Sequence, residues 1–578
     1  MVKGGMLKDN TPLASLNASQ GQTFMLIGTA GPLPQAPIKA LTFVEDMTDS
    51  QLAMATRQKA GLTNLGNTCY LNSTLQVLRA VPELQVALGR FTGGLGGQDG
   101  EASLTASLRE LYKSMNQTTE PFPPFAFLSI LRQIAPQFAE MARPSGAGAM
   151  AGMGGGYAQQ DAEEVWVRII NALQNALPGL PPRASASASS SSAATTDNRT
   201  FVQQFMTGEM SIKRSTKEAP EEPATHSREN FSILQCNISG TTNEMTSGIS
   251  DSLTQNLEKR SETLGREAVY DEERRISRLP AYLACHFVRF YWRRDINKKT
   301  KIMRKVKFPF DLDTEPFMEE SLKQKTRKTA EKIKSVEKAR DERSKIRRRA
   351  KAKKEEKEAE AKVVEGGAAE KEAAASASEK DKKDADTAMA VDGDADDKKD
   401  GAEVGQVQLG QLLTPQEELE LRRKEVAEID ATIDAELRAD TGANVSGLYE
   451  LVGIVTHKGA AADAGHYLSW VKKDVADANY ALEDAAAQDP EAKEKKALAE
   501  LDTPPSDEWY KFDDEKVTTV TKDKITMLEG GGEDSVAYIR EWAFRLAGGS
   551  RRLISAPGSC FQCFTAAKRL SDREDPWM

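Results

Sequence analysis

Five cysteines and four histidines are all that this chain offers for nucleophilic chemistry: Cys69, Cys236, Cys285, Cys560 and Cys563, with His226, His286, His457 and His466. Cys69 is distinguished by its surroundings. Gly61-Leu62-Thr63-Asn64-Leu65-Gly66-Asn67-Thr68 is a turn-forming run, and Leu71, Leu75 and Leu78 then recur at helical spacing. That pattern places Cys69 at the start of a helix, where the partial positive charge favours a thiolate. An ordinary thiol, with a pKa of about 8.5, needs such help at neutral pH. The competing reading is a buried structural cysteine, the commoner fate of a lone Cys. A thiolate nucleophile needs a partner base, usually His. His226 lies in a polar stretch among Pro and Glu, and His286 within an apolar run where a core histidine is expected. His457 ends the apolar run 451–455, and His466 follows a small-residue loop, 459–465, and leads into another apolar run. His466 is therefore the expected base and His457 the second candidate. An orienting carboxylate is required as well: Asp513 or Asp514, at the end of an alternating stretch from Trp509, can accept from the imidazole Nδ1. Acyl transfer also needs donors for the developing oxyanion, and the Asn64 amide and the Cys69 N–H are candidates. Asn64 and Asn67 as plain turn formers is the competing reading.

The elements that must hold these residues follow from periodicity. Residues 68–90 and 101–115 carry apolar side chains at helical spacing. The segment 161–177 predicts a strongly amphipathic helix with Val165, Trp166, Ile169, Ile170 and Leu173 on one side. Residues 280–292 and 448–456 are apolar, β-branched and aromatic, and predict buried strands; 466–471 and 536–539 predict short ones. Helices first and strands later argue for an α+β fold.

Much of the rest does not look packed. Hydrophobic residues make up 39% of the 578 residues and charged ones 29%, with a mean hydropathy of -0.53, which implies substantial unpacked sequence. The net charge of -9, from 78 basic and 87 acidic residues, excludes a globally basic nucleic-acid binder. Five cysteines exclude a disulfide scaffold. No run approaches the roughly 18 apolar residues of a membrane span, and the N-terminus has no apolar signal core. A soluble cytoplasmic or nuclear protein without nucleic-acid or membrane partners is expected. Inserts are predicted at 183–200, 319–440 and 474–505, with a mobile loop at 144–156. The insert 319–440 has helix-forming composition but too few apolar heptad positions for a coiled coil, although 415–438 carries enough Leu and Ile to pack on something. Its basic part, 321–357, is mixed with acidic residues and reads as a solvated face before it reads as a nucleic-acid contact.

Several of these segments together are similar to the boxes of the ubiquitin-specific proteases, papain-like cysteine deubiquitinases. The run from Gly61 to Asn72 resembles their cysteine box. Tyr449 to His457 and Gly465-His466-Tyr467 resemble their histidine box, and Trp509 to Asp514 the strand supplying the third triad residue. Gln159-Gln160-Asp161-Ala162-Glu163-Glu164 resembles their QQDA element, and 277–283 with 288–290 another shared strand. The boxes stand in the family's order. The resemblance implies a helical thumb carrying Cys69, a palm carrying His466 and Asp513, and β-rich fingers that grip ubiquitin. By position it implies Cys69 as nucleophile, His466 as base, Asp513 as orienting acid with Asp514 as its alternative, and Asn64 in the oxyanion hole. Gln160, Asp161, Gly465 and Tyr467 would line the channel for the ubiquitin tail. No cofactor and no metal are implied: Cys560 and Cys563 form a lone C-x-x-C, short of four ligands. A monomer acting on ubiquitin conjugates is expected. A non-catalytic ubiquitin-binding regulator would be missing a triad member, and none is missing.

Residues 1–9 and 43–48 resemble the proteasome-associated branch of that family. There an N-terminal ubiquitin-like domain docks on the 26S proteasome regulatory particle, docking activates the enzyme, and loops near the cleft block it when free; residues 459–465 would belong to one such loop. The expected division is 1–28 as the end of a ubiquitin-like domain, 29–60 as linker, 61–546 as catalytic domain and 547–578 as a divergent tail. About 28 residues cannot close a sheet around a core, so the docking partner is carried over for the branch rather than for this chain. Arg540 and Glu541 are expected to interrupt the last strand.

Overall fold

Apolar side chains at helical spacing gather the first part of the chain into a helical layer: α1 (Cys69–Leu78), α2 (Pro82–Arg90), α3 (Gly100–Gln117), α4 (Phe125–Ile134) and α5 (Ala162–Ala176). The computed structural model describes residues 48–49, 59–141, 156–181, 197–293, 298–368, 413–459, 465–477, 507–530 and 536–544. The chain divides after Thr48, and all elements below lie in the larger unit, Asp49–Met578. Local chemistry starts these helices. Pro82 opens α2, where its missing N–H costs nothing, and the Asp99 and Asp161 side chains accept backbone N–H groups at the starts of α3 and α5. On α5 the predicted stripe Val165, Trp166, Ile169, Ile170 and Leu173 is buried. Truncating a buried Trp such as Trp166 to Ala costs about 3–5 kcal/mol.

Helix α1 is buried on every side. Its polar residues are tolerated because they are bonded: Ser73 and Thr74 hydroxyls donate to the Tyr70 carbonyl, and the Gln76 amide to Ala60. It packs on the larger sheet, whose strand order is β13-β12-β11-β10-β14-β6-β3, with β9 (Asp311–Asp313) also on β10. These are β3 (Ile233–Asn237), β6 (Tyr282–Val288), β10 (Leu448–Lys458), β11 (His466–Lys472), β12 (Glu508–Asp513), β13 (Lys516–Thr521) and β14 (Val536–Phe544). Only β3 and β6 pair in parallel in that order; the remaining pairs are antiparallel. A second sheet, β2-β1-β5-β4, combines β1 (Gly208–Thr216), β2 (Thr225–Phe231), β4 (Thr254–Arg260) and β5 (Glu267–Arg278). Strands β7 (Phe290–Arg293) and β8 (Lys298–Lys301) form a hairpin. This is the α+β thumb, palm and fingers arrangement expected from the sequence.

Two expectations are corrected. Arg540 and Glu541 do not end the last strand: β14 continues to Phe544, and both side chains are fully buried. The Arg540 guanidinium lies 3.2 Å from the Phe308 ring centroid and 4.1 Å from that of Phe287, so aromatic faces take the place of apolar packing. Nor is the charged part of 319–440 that precedes 415–438 a solvated helix throughout, while 415–438 packs as its Leu and Ile content suggested. The helix α6 (Glu320–Ala368) and the helix α7 (Pro415–Thr432) are latched together by buried ion pairs. Glu418, with no exposed surface, meets Arg343, Arg347 and Arg422, and Glu425 meets Arg340 and Arg343. Ile333, Val336 and Ile429 join Leu448 of β10 in a small apolar cluster. Charged pairs do the work of heptad apolar residues here, which is why the periodicity did not reveal it. It also turns Arg340, Arg343 and Arg347 away from the nucleic-acid contact weighed above.

The edges of the predicted inserts pack as well. Arg199, at the end of 183–200, and Arg278 both donate to Asp440, each at 2.7 Å. Lys59 donates to the Ala476 carbonyl at 2.9 Å. Residues 1–47, 142–155, 182–196, 369–412 and 545–578, Cys560 and Cys563 among them, lie outside the described residues.

Candidate active site

Three elements converge. Cys69 is the first residue of α1, His466 the first of β11 and Asp513 the last of β12. Each strand end and helix start is therefore a junction between a rigid element and a turn, which holds the side chain while leaving one side open. Helix α1 packs directly on β11 and β12, and this contact brings residues from opposite ends of the chain together.

The His466 Nε2 lies 2.7 Å from Asp513 Oδ1. The sequence expectation placed the carboxylate on Nδ1; the structure places it on Nε2, and this leaves Nδ1 for Cys69. Hydrogen bonding to Cys69 raises His466 to about 9, against burial and with the help of Asp513. Burial works against the Asp513 carboxylate, yet the bond from His466 and the neighbouring Lys511 hold it below the usual range. Cys69 is 2% exposed, and its sulfur accepts the Tyr467 N–H at 3.4 Å and the Gln159 amide at 3.9 Å. As the first residue of its helix, Cys69 has a backbone N–H with no acceptor inside the helix.

Asp514 occupies a different place from Asp513. It sits in the β12–β13 turn with a φ of 50°, and its carboxylate is 3.9 Å from His466 Nε2. Both oxygens are used: Asn64 Nδ2 donates to one at 2.8 Å and Asn72 Nδ2 to the other at 2.9 Å. Asn64 in turn accepts through Oδ1 from the N–H groups of Gly66 and Thr68 and from the Thr68 hydroxyl. The oxygen of Asn64 thus builds the turn, as the turn-former reading expected, and one N–H of its amide is given to Asp514. The turn closes on Gly61, where a Cβ would run into the Glu515 backbone; the Leu62 N–H donates to Asp514 O at 3.0 Å.

The other expected residues fall as follows. It is Gln159, not Gln160, that reaches the thiol, and its Oε1 also accepts the Gly465 N–H at 3.2 Å. Gln160 is half-buried beside it. The pair of glutamines was legible in the sequence; which one turns inward was not. Asp161 caps α5 through the Glu163 N–H at 3.0 Å and accepts the Tyr538 hydroxyl at 2.7 Å. Tyr467 is buried and meets the His457 ring edge-on at 4.7 Å. His457, the second base candidate, has no exposed surface, and burial with the nearby Lys301 ammonium pushes it down to about 3. It stays neutral and away from the thiol. His286 stacks edge-on with Tyr538 at 4.8 Å and His226 lies on the exposed β2, so neither joins the site.

Gly465 admits no side chain. A Cβ there would stand 2.5 Å from both His457 Nε2 and the Lys458 carbonyl oxygen. Gly465→Ala is therefore expected to shift the segment leading into His466 by about 1 Å. Since a misplacement of about 1 Å costs about 10²-fold, turnover is expected to fall by about 10²-fold with little change in thermal midpoint. Steady-state kinetics alongside a melting curve check both halves.

Comparison with known proteins shows the family. The sequence model of the ubiquitin carboxyl-terminal hydrolase family matches residues 60–540. The chain is 35% identical to ubiquitin carboxyl-terminal hydrolase 6 of Schizosaccharomyces pombe over 93% of its own length and 89% of that protein. It is 29% identical to ubiquitin carboxyl-terminal hydrolase 6 of Arabidopsis thaliana, covering 94% and 90%, and 25% identical to ubiquitin carboxyl-terminal hydrolase 14 of Caenorhabditis elegans, covering 94% and 84%. Among solved structures, the SAGA Ubp8/Sgf11/Sus1/Sgf73 DUB module bound to ubiquitin aldehyde aligns with a TM-score of 0.43 at 14% identity, over 85% of this chain and 70% of that one. A family match that spans all the converging elements, together with a close relative along nearly the whole length, places this chain in the ubiquitin carboxyl-terminal hydrolase family.

Proposed function

We propose that the chain is a thiol-dependent deubiquitinase in which Cys69, His466 and Asp513 act as a triad on the bond that joins the ubiquitin C-terminal Gly to a substrate amine. The convergence of the Cys69 sulfur, the His466 imidazole and the Asp513 carboxylate carries this reading. The Cys69 sulfur attacks the glycine carbonyl. The negative charge that develops on the carbonyl oxygen is met by the Cys69 N–H at the start of α1 and by the second N–H of Asn64. Such a donor is worth about 10²–10³ in rate. His466 passes its proton to the departing amine, leaving a thioester. It then takes a proton from water, which attacks the thioester and releases ubiquitin with a free carboxylate. Asp513, on Nε2, keeps Nδ1 aimed at the sulfur. Gln160, Asp161, Gly465 and Tyr467 are proposed to border the channel for the ubiquitin tail. Ubiquitin carrying a C-terminal electrophile is expected to form an adduct on Cys69, read by intact mass and peptide mapping. No adduct, with or without proteasome present, would sink this reading.

The pH dependence has a definite sign. His466 keeps its proton up to about pH 9, so proton delivery to the amine is lost as pH rises through about 9. The alkaline limb of kcat/KM is expected there. In Asp513→Ala it moves to lower pH, because one of the two bonds that raise His466 is gone; a pH–rate profile of both proteins measures it. The same shift contributes stability that is complete below the ordinary histidine value of about 6.5 and lost through about 9.

As partner we propose the 26S proteasome regulatory particle, in the cytoplasm and nucleus, with the enzyme as a monomer when free. Support comes from the resemblance of residues 1–9 and 43–48. Co-sedimentation with purified 26S proteasome tests it, and failure to co-sediment removes the partner without touching the hydrolase.

A further inference from the structure

One buried cation beside the site has no part in the steps above. Lys301, the last residue of β8, is 5% exposed. Its ammonium has three N–H donors, and three acceptors receive them: the His457 carbonyl at 2.8 Å, the Gly459 carbonyl at 2.8 Å and His457 Nδ1 at 3.0 Å. Burial, reinforced by the Arg289 charge, lowers Lys301 to about 8, so it is charged at neutral pH. The charged and titratable groups that face the pair are Arg289, Asp161 at the start of α5 and His466 on β11. Because Nδ1 of the neutral His457 accepts from Lys301, the ring proton is assigned to Nε2.

The His457 ring then reaches the site in two ways. Its Nε2 edge abuts Gly465, leaving no room for a Cβ. Its face is met edge-on by Tyr467, and Phe290 packs against it at 5.4 Å. Gly465 and Tyr467 are the residues on either side of His466. The Gly465 N–H holds Gln159, whose amide donates to the Cys69 sulfur, and the Tyr467 N–H donates to that sulfur directly. Gly459 and Gly465 bound the segment that leads into the catalytic histidine, and Lys301 is bonded to the first and, through His457, packed against the second.

We propose that Lys301 is a positioning residue of the reaction: by clamping Gly459 and His457 it sets Gly465 and Tyr467, and so the donors that rest on the Cys69 sulfur. This rests on the assignment of Cys69 as nucleophile. The rival is a lysine that serves stability alone.

Lys301→Met keeps the length of the stem and removes the ammonium. His457→Phe keeps an aromatic ring and removes the Nδ1 acceptor while leaving Lys301 its two carbonyls. Both are measured in the full-length protein by thermal midpoint, by kcat and KM on a ubiquitin C-terminal amide, and by the rate at which iodoacetamide alkylates Cys69 from about pH 5 to about pH 10, read on the Cys69 peptide. Lys301→Met is expected to lower kcat by about 10²-fold with KM within about threefold of wild type. It should also change the rate of Cys69 alkylation by about tenfold, because the donors on the sulfur move. His457→Phe is expected to lower kcat by about tenfold. Folded variants with kcat within about twofold of wild type and unchanged alkylation profiles overturn the proposal. Should Lys301→Met fail to fold, His457→Phe decides alone. A wild-type protein that forms no Cys69 adduct with ubiquitin carrying a C-terminal electrophile would instead overturn the nucleophile assignment, so the two failures are distinguishable.

Discussion

Cys69→Ala is expected to turn over a ubiquitin C-terminal amide at least about 10⁴-fold more slowly than wild type, and adding His466→Ala is expected to lower the rate no further. In the proposed mechanism Cys69 and His466 act as one unit. Without the sulfur there is no acyl intermediate for the imidazole to serve, and without the imidazole the departing amine is not protonated. Each single variant should therefore fall to nearly the same floor, set by whatever the Asn64 and backbone donors contribute alone. The fold is not at stake: exchanging the Cys69 thiol for hydrogen removes a single heavy atom from a helix that is buried on every side. Ubiquitin binding, followed by calorimetry or interferometry, is expected to persist in Cys69→Ala. Additive losses in the double variant would mean that the two residues act separately, contrary to the geometry.

Asp514 gives the second large effect, through a different route from Asp513. Asp514→Ala is expected to lower kcat/KM by about 10²–10³-fold, the cost of an oxyanion donor out of place, because Asn64 loses the acceptor that orients its amide. Two further costs accompany it. Asn72 loses its carboxylate partner, and a φ of 50° is strained for Ala. Asp514→Asn separates these contributions. Asn adopts the left-handed region readily, so the backbone is kept, but its single oxygen serves only one of the two amides. A loss intermediate between wild type and Asp514→Ala is expected. Asp514→Asn should also leave the alkaline limb of the pH–rate profile closer to wild type than Asp513→Ala does, since Asp513 is the carboxylate bonded to the imidazole. If Asp513→Ala were nearly silent and Asp514→Ala moved the limb, the roles of the two carboxylates would be reversed.

Much of this site was legible from residue types alone. A turn-rich run before a helical repeat marks the nucleophile, and with four histidines in the chain elimination was short. The α5 stripe and the strands that hold His466 and Asp513 were legible because apolar periodicity is local. Three features were not. Gln159 and Gln160 are chemically identical neighbours, and only the path of the chain before α5 turns the first toward the sulfur. Which imidazole nitrogen meets the carboxylate depends on the approach of β12 to β11. The buried Glu418 and Glu425 look, in sequence, like any solvated charge run, because Arg340 and Arg343, which meet them, lie on another helix about 80 residues away. Lys301 belongs with these. It stands in the basic run Lys298-Lys299-Thr300-Lys301 and nothing nearby sets it apart.

The amino-acid order by itself determined the candidates for the reacting groups, the helix start beneath Cys69, the strand that presents His466 and the α+β class, since each depends on neighbours within a few residues. Tertiary structure decided everything that needs two distant segments to meet. The Nε2 contact of Asp513, the tie between Asp514 and two asparagines, the inward turn of Gln159, the burial of Arg540 and Glu541 in β14, and the clamp of Lys301 on His457 all arise where packing, not periodicity, selects the partner. A charge or an amide carries the same letter whether water or another side chain satisfies it, and only burial against a particular neighbour settles which.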